Sequence, residues 1–241
     1  MANPRPWLEA LIAVTTSLEA NAVRAELKGR DMAVRSIPTG GARAVWNAVG
    51  AEERTVAVVM SAAGSESTRV SARFWAPHAR LLVSLGSSAG TGLVPVPALL
   101  LDGDPGLAAR ARTALAAADP VVVDGRVGSI DTEAASATAR ASLAAAGLAA
   151  VDGATETWRE AGRRLGVPTL AVHALRPDPE LAERLERLEP PGAVARSRWR
   201  TALALLRHPG DRALLRNADT ARRAAAQPAA RCAVAACLGP R

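Results

Sequence analysis

The sequence predicts an α/β domain built on a mixed, mostly parallel sheet flanked by helices, with a C-terminal helical hairpin behind it. Short apolar runs alternate with helix-like segments from Leu8 to Leu175, the order of a parallel sheet covered on both faces. Within RLLVSLGSSAGTG (80–92), Leu81, Leu82, Val83 and Leu85 form a run suited to a strand buried on both faces, which gives way to glycine and small hydroxyl residues. Beyond Pro190-Pro191 the chain turns to leucine and arginine at helical spacing. The expected division is an α/β domain over 1–190 and a helical appendage over 191–241.

Composition supports a packed core. At 241 residues and 49% hydrophobic content the chain can bury one large domain. Phe74 is the sole phenylalanine, Lys28 the sole lysine, and tyrosine is absent, so alanine and arginine take over roles that other sequences share more widely. The tryptophans Trp7, Trp46, Trp75, Trp158 and Trp199 are expected in core or interface. The net charge of +7 is not organised as a basic run interleaved with aromatics, which argues against nucleic acid as a partner. Cys232 and Cys237 have neither zinc-knuckle nor redox-pair spacing and fit a reduced, cytoplasmic protein. The apolar stretch near the N-terminus is interrupted by Glu9 and is too short for a membrane span, and neither a signal peptide nor a transmembrane segment is expected.

Taken in order, Leu8 to Val14 reads as the first strand, and Thr15, Thr16 and Ser17 offer N-caps for a helix from Leu18 to Lys28, stopped at Gly29. Glu19 then falls in the first helical turn, where it either complements the helix dipole or serves as a general base at the strand end. Met32–Ile37 and Ala42–Ala48 form a hairpin, Thr55–Met60 a buried strand, and the segment from Ser61 to Gly64 opens a helix to Trp75. Pro95–Leu101 is a strand, Pro105–Ala118 a helix, and Pro120–Val123 and Val127–Ile130 are short strands. An alanine-rich helix starts at Asp131 and stops at Gly147. Leu148–Asp152, Thr155–Leu165 and Thr169–Leu175 complete the pattern as strand, helix and strand. In the tail, helices are expected over Val194–Arg207 and Asp211–Ala226.

The central strand is expected to end in a loop at Gly86. There Gly86 and Gly90 permit close approach of a ligand, and Ser87 and Ser88 offer hydroxyls to a phosphate or ribose. A plain strand-to-loop turn explains the same residues. No dinucleotide fingerprint or phosphate loop occurs, so no nicotinamide or other cofactor is expected. His78, His173 and His208 lie apart and without acidic partners at ligand spacing, so no metal is expected. His173 draws attention because it immediately precedes the loop after the last strand of the sheet domain.

The segments LVSLGSSAG (82–90), AVDGAT (150–155) and GVPTLAVHA (166–174) resemble, in order and spacing, the signature regions of the nucleoside phosphorylase and nucleosidase superfamily. The tail, LALLRHPG (203–210) and LLRNADTARR (214–223) with Leu238-Gly239 near its end, is similar to that of hopanoid-associated phosphorylases. The resemblance implies a nucleoside phosphorylase-like fold and cleavage of an N-glycosidic bond, with adenine removed from a hopanoid-linked adenosyl precursor. It implies Glu19 as the base that activates water and Asp178 as the acid that protonates the departing purine. Substrate contacts fall on Ser87, Ser88, Ala89, Gly90, Asp152, Gly153 and Ala154. The resemblance also allows inorganic phosphate as co-substrate, a homo-oligomer, and peripheral contact with the inner face of a membrane.

Departures from the pattern open other readings. Where the family has a methionine and a glutamate against the sugar, this chain has Gly153 and Ala154. Losing such a carboxylate costs about 1.5 to 3 kcal/mol of binding unless Asp152 or Glu156 substitutes. A nucleosidase-like protein that has lost turnover and acts in binding or as a scaffold is one alternative, and an enzyme of the methylthioadenosine/S-adenosylhomocysteine nucleosidase type is another. The arginines at 196, 198, 200, 207, 212, 216, 222 and 223 belong either to an amphipathic hairpin docked on the sheet or to a cationic surface for anionic lipid.

Overall fold

The computed structural model describes residues 6–61, 65–94, 96–116, 119–129, 137–176 and 211–240. Along them run β1 (Ala10–Val14), α1 (Ser17–Gly29), β2 (Ala33–Ile37), β3 (Ala44–Val49), β4 (Thr55–Met60), α2 (Ser65–Trp75), β5 (Leu82–Ala89) and β6 (Ala98–Gly103). There follow α3 (Pro105–Arg112), β7 (Val121–Asp124), β8 (Arg126–Ser129), α4 (Ala137–Ala145), β9 (Leu148–Asp152), α5 (Thr155–Leu165), β10 (Thr169–Arg176) and α6 (Asp211–Leu238). Eight strands form one sheet in the order β2-β3-β4-β1-β5-β10-β6-β7, and β8 pairs with β9 in a small second sheet. The strands β4, β1, β5 and β10 are mutually parallel, so their carboxyl ends share one edge, the edge at which open α/β sheets bind ligands.

Alternation along the strands divides the core between two faces. Ala10, Ile12 and Val14 of β1 pack in the cluster that includes Val23 and Leu27 of α1, Leu107 of α3, and Ala233 and Cys237 of α6. Leu11 and Ala13 belong to the opposite cluster with Trp75 of α2 and Trp158 of α5. Trp75 and Trp158 are core residues, whereas Trp7 is exposed and Trp199 lies outside the described residues.

Three element boundaries differ from expectation. The central strand does not end at Gly86: β5 runs to Ala89 because β10 pairs with it along its whole length, from Thr169 opposite Leu82 to Arg176 opposite Ala89. The helix expected to reach Ala118 ends at Arg112, where the N–H groups of Ala114 and Leu115 donate to carbonyls three residues back. The last helix does not stop near Ala226 but continues to Leu238 through Pro228. A proline inside a helix costs about 3 kcal/mol. Here that cost is offset by packing, because Ala229, Ala230, Cys232, Ala233, Val234, Ala236 and Cys237 are all buried in the cluster shared with α1 and α3. The end of α6 is therefore part of the domain core rather than an appended element. The other arm of the expected hairpin, 194–207, lies outside the described residues.

Candidate active site

At the carboxyl end of β1 the chain turns through Thr15 and Thr16 into α1, and Thr16 caps the helix. Thr16 Oγ1 accepts from the N–H of Glu19 at 3.3 Å, while Glu19 Oε2 accepts from the Thr16 N–H at 3.0 Å, a reciprocal capping box. The N–H and the hydroxyl of Thr15 also donate to Oε2, each at 3.1 Å. Glu19 is 4% exposed, and its second oxygen, Oε1, is buried with no hydrogen-bond partner among the described residues. One carboxylate oxygen thus holds the helix terminus, and the other is left over at the ligand edge.

The next strand across, β5, presents its residues alternately. Val83 and Leu85 face the cluster under α1 and α6, so Ser84, Gly86 and Ser88 face the α5 side and Ser87 the α1 side. On the α5 side lies His173 of β10, paired with Gly86 and fully buried at 0% exposure. A Cβ on residue 86 would meet His173 Cε1 at 2.7 Å, so the glycine makes room for an imidazole. The close approach expected of a ligand at Gly86 is taken by this ring. Gly90 forms an antiparallel bridge with Ala150, which ties the end of β5 to β9.

His173 joins a buried polar network. Its Nδ1 lies 3.2 Å from Ser88 Oγ, and its Nε2 lies 2.9 Å from Thr155 Oγ1 and 3.1 Å from Asp152 Oδ2. Thr155 Oγ1 donates to Asp152 Oδ2 at 2.6 Å and sits 3.4 Å from Ser84 Oγ. Asp152 Oδ1 accepts from the N–H groups of Ala154 and Thr155 at 3.0 and 2.9 Å, closing the turn into α5. Burial pushes the Asp152 carboxyl up, but the charge of His173 and the hydrogen bonds from His173 and Thr155 outweigh it and hold the group well below the usual carboxylate range. An ionised carboxylate only accepts, so His173 Nε2 is the donor to Asp152, and Ser88 Oγ lies within hydrogen-bond reach of Nδ1.

These contacts settle what the β9 end offers. Asp152 is committed to His173 and the α5 turn, and Glu156 pairs with Arg159 and Arg163 at 2.6 and 3.0 Å. Ala154 is not open to a ligand as expected: at 5% exposure it packs in the cluster with Leu82 and Trp158, because the first turn of α5 rotates it inward. Gly153 is exposed, and a Cβ there would meet nothing within 4 Å. Asp178 lies outside the described residues. Among the described residues no group of three or more His, Cys, Asp or Glu is placed to hold a metal. A small cleft beneath α5 is lined in part by Ser84, Asp102, Thr155 and Arg159.

Compared with solved structures, the chain superposes on the 5′-methylthioadenosine/S-adenosylhomocysteine nucleosidase of Neisseria meningitidis in complex with methylthio-immucillin-A. The TM-score is 0.66 at 14% identity, covering 96% of this chain and 99% of that one. The fold is nucleoside phosphorylase-like. Futalosine hydrolase of Helicobacter pylori is a further neighbour, with a TM-score of 0.60 at 14% identity over 78% of this chain and 93% of that one. So is the corresponding nucleosidase of Colwellia psychrerythraea in complex with adenine, with a TM-score of 0.56 at 16% identity over 69% and 81%. No family model and no curated protein sequence matches the chain.

Sequence reasoning placed Glu19 and the nucleosidase-like sheet edge but missed the partners of His173. A signal was present: Ser84, Gly86 and Ser88 repeat at period two on one face of the strand, which marks that face as meeting a polar group. It also passed over Ser61, which is 1% exposed with an unpartnered Oγ.

Proposed function

We propose that this protein cleaves the N-glycosidic bond of a purine nucleoside. The observation that carries the proposal is the buried Glu19 carboxylate, anchored through Oε2 and unpartnered at Oε1, at the carboxyl edge of a sheet whose structural neighbours were solved with adenine and a methylthio-immucillin. Glu19 takes a proton from water as that water bonds to the anomeric carbon. The glycosidic bond breaks through an oxocarbenium-like state, and Asp178 gives its proton to the leaving purine. With phosphate as co-substrate, phosphate replaces water as nucleophile. The similarity of the tail to hopanoid-associated phosphorylases supports an adenosyl-hopanoid as the substrate and adenine as the released base.

A second reading, a binding or scaffold protein without turnover, is favoured by the β9 end. There Ala154 is buried and Asp152 and Glu156 are committed elsewhere, so none of these three offers a carboxylate to the sugar. Purified protein incubated with adenosylhopane or 5′-methylthioadenosine, with and without phosphate, should release free adenine. Glu19→Gln keeps a capping-box side chain and the fold, and it should lower release by about 10²-fold or more. No adenine from either nucleoside supports the scaffold reading, and an unaffected Glu19→Gln variant removes Glu19 as the base.

A further inference from the structure

We infer that Ser61 is a further contact of this site, and that Ser61 Oγ and Glu19 Oε1 together hold one hydroxyl-bearing group, either a water molecule or a sugar hydroxyl. The inference rests on Glu19 facing the substrate as proposed. Ser61 follows the last residue of β4, and its N–H donates to the carbonyl of Val14 at 3.2 Å, extending the parallel ladder that pairs Val14 with Met60. Its neighbour across that ladder is Thr15, whose N–H and hydroxyl both donate to Glu19 Oε2. Adjacent strands lie about 4.8 Å apart, so Ser61 stands beside Thr15, the residue that holds Glu19, at the carboxyl edge of the sheet.

Both residues are almost fully buried, at 1% and 4% exposure, and neither Ser61 Oγ nor Glu19 Oε1 has a hydrogen-bond partner among the described residues. Folded chains rarely leave a buried polar atom without a partner, be it protein, water or ligand. The other unpartnered buried atoms lie elsewhere: Arg24 Nε beside Trp46, Asn47 Oδ1 on β3, and His78 Nδ1 among Trp7, Phe74 and Trp75. Among these atoms, Ser61 Oγ and Glu19 Oε1 are the two that belong to the carboxyl ends of the adjacent strands β4 and β1. Their chemistry selects the occupant. A carboxylate oxygen accepts and never donates, so the occupant must donate to Glu19, while a serine hydroxyl takes either role. Water and a sugar hydroxyl meet both demands. A phosphate oxygen beside Glu19 faces like charge.

Crystals of the full chain, grown with and without methylthio-immucillin-A, should show one oxygen within hydrogen-bond reach of both Ser61 Oγ and Glu19 Oε1. A direct Ser61–Glu19 hydrogen bond, or no shared oxygen in either crystal, overturns the inference whether or not the protein releases adenine. Ser61→Ala identifies the source. Affinity for methylthio-immucillin-A falling about tenfold marks a sugar hydroxyl, and turnover of 5′-methylthioadenosine falling about tenfold at unchanged affinity marks the water. Unchanged affinity and turnover while Glu19→Gln is inactive assigns Ser61 a purely structural role and leaves the proposed function standing. If wild-type protein releases no adenine and yet holds the shared oxygen, the proposed function fails and the Ser61 contact remains.

Discussion

Asp152 and His173 show how one ion pair can be read from its two ends. Asp152 accepts four hydrogen-bonding or ionic contacts within 3.1 Å, from the Ala154 and Thr155 backbone, the Thr155 hydroxyl and His173. Its folded-state ionisation lies below the ordinary carboxylate value, so the pair stabilises the fold fully above about pH 4. That contribution is lost as pH falls toward the lowered folded value. Asp152→Asn should cost on the order of 3 kcal/mol at pH 7, since it leaves a buried histidine without its anion. The stability curves of the two proteins should converge on acidification below pH 4, and denaturant titrations at several pH values check this. Curves that stay parallel would place the pair's energy elsewhere. The pairing was hidden in the sequence because Asp152 and His173 lie on different strands, whereas Glu19 was legible from Thr16 three residues before it. One Glu19 oxygen caps the helix, and the other has no hydrogen-bond partner among the described residues.

The network depends on β5 and β10 lying side by side with a glycine opposite the histidine. An alanine at 86 places a Cβ 2.7 Å from the ring, so the imidazole must move from Ser88 or from Thr155 and Asp152. Gly86→Ala should therefore cost about 1 to 3 kcal/mol, as overpacking does. The cost should shrink when the ring is also removed in Gly86→Ala/His173→Ala, because contacting residues do not add. Thermal or denaturant unfolding of the two single variants and the pair measures the coupling, and strict additivity would mean that the clash is absorbed elsewhere. At this scale most strands were legible because their apolar runs are bounded by glycine, proline or hydroxyl residues. The end of β5 was not. Gly86, Ser87 and Ser88 read as a loop when seen one chain segment at a time, and only the pairing of β10 across eight residues makes them strand.

Across the whole molecule, α6 decides how the tail can act. Its alanine-rich second half lacks the contrast between apolar and polar positions that periodicity needs, and Pro228 reads as a stop, so the sequence concealed a helix that seals the α1 and α3 face. Burial pushes the Cys232 thiol up to about 12 and also raises Cys237, in keeping with a packing role for both. No described helix is long and apolar enough to cross a membrane. We propose that the arginines in the sequence of the first half of α6, Arg212, Arg216, Arg222 and Arg223, supply the peripheral contact that an adenosyl-lipid substrate would call for. Each arginine near an anionic surface is worth about 1 kcal/mol, and the Debye length shrinks from about 10 Å at 0.1 M salt to about 3 Å at 1 M. The full chain should therefore pellet with phosphatidylserine vesicles at low salt and be released at high salt. Changing the four arginines to glutamine should abolish pelleting while preserving cooperative unfolding, since the core half of α6 is untouched. Deleting residues 227–241 should instead abolish cooperative unfolding, because it strips Ala229, Ala230, Cys232, Ala233 and Val234 from the core. Equal pelleting at both salts, or none at either, would leave α6 with its packing role alone.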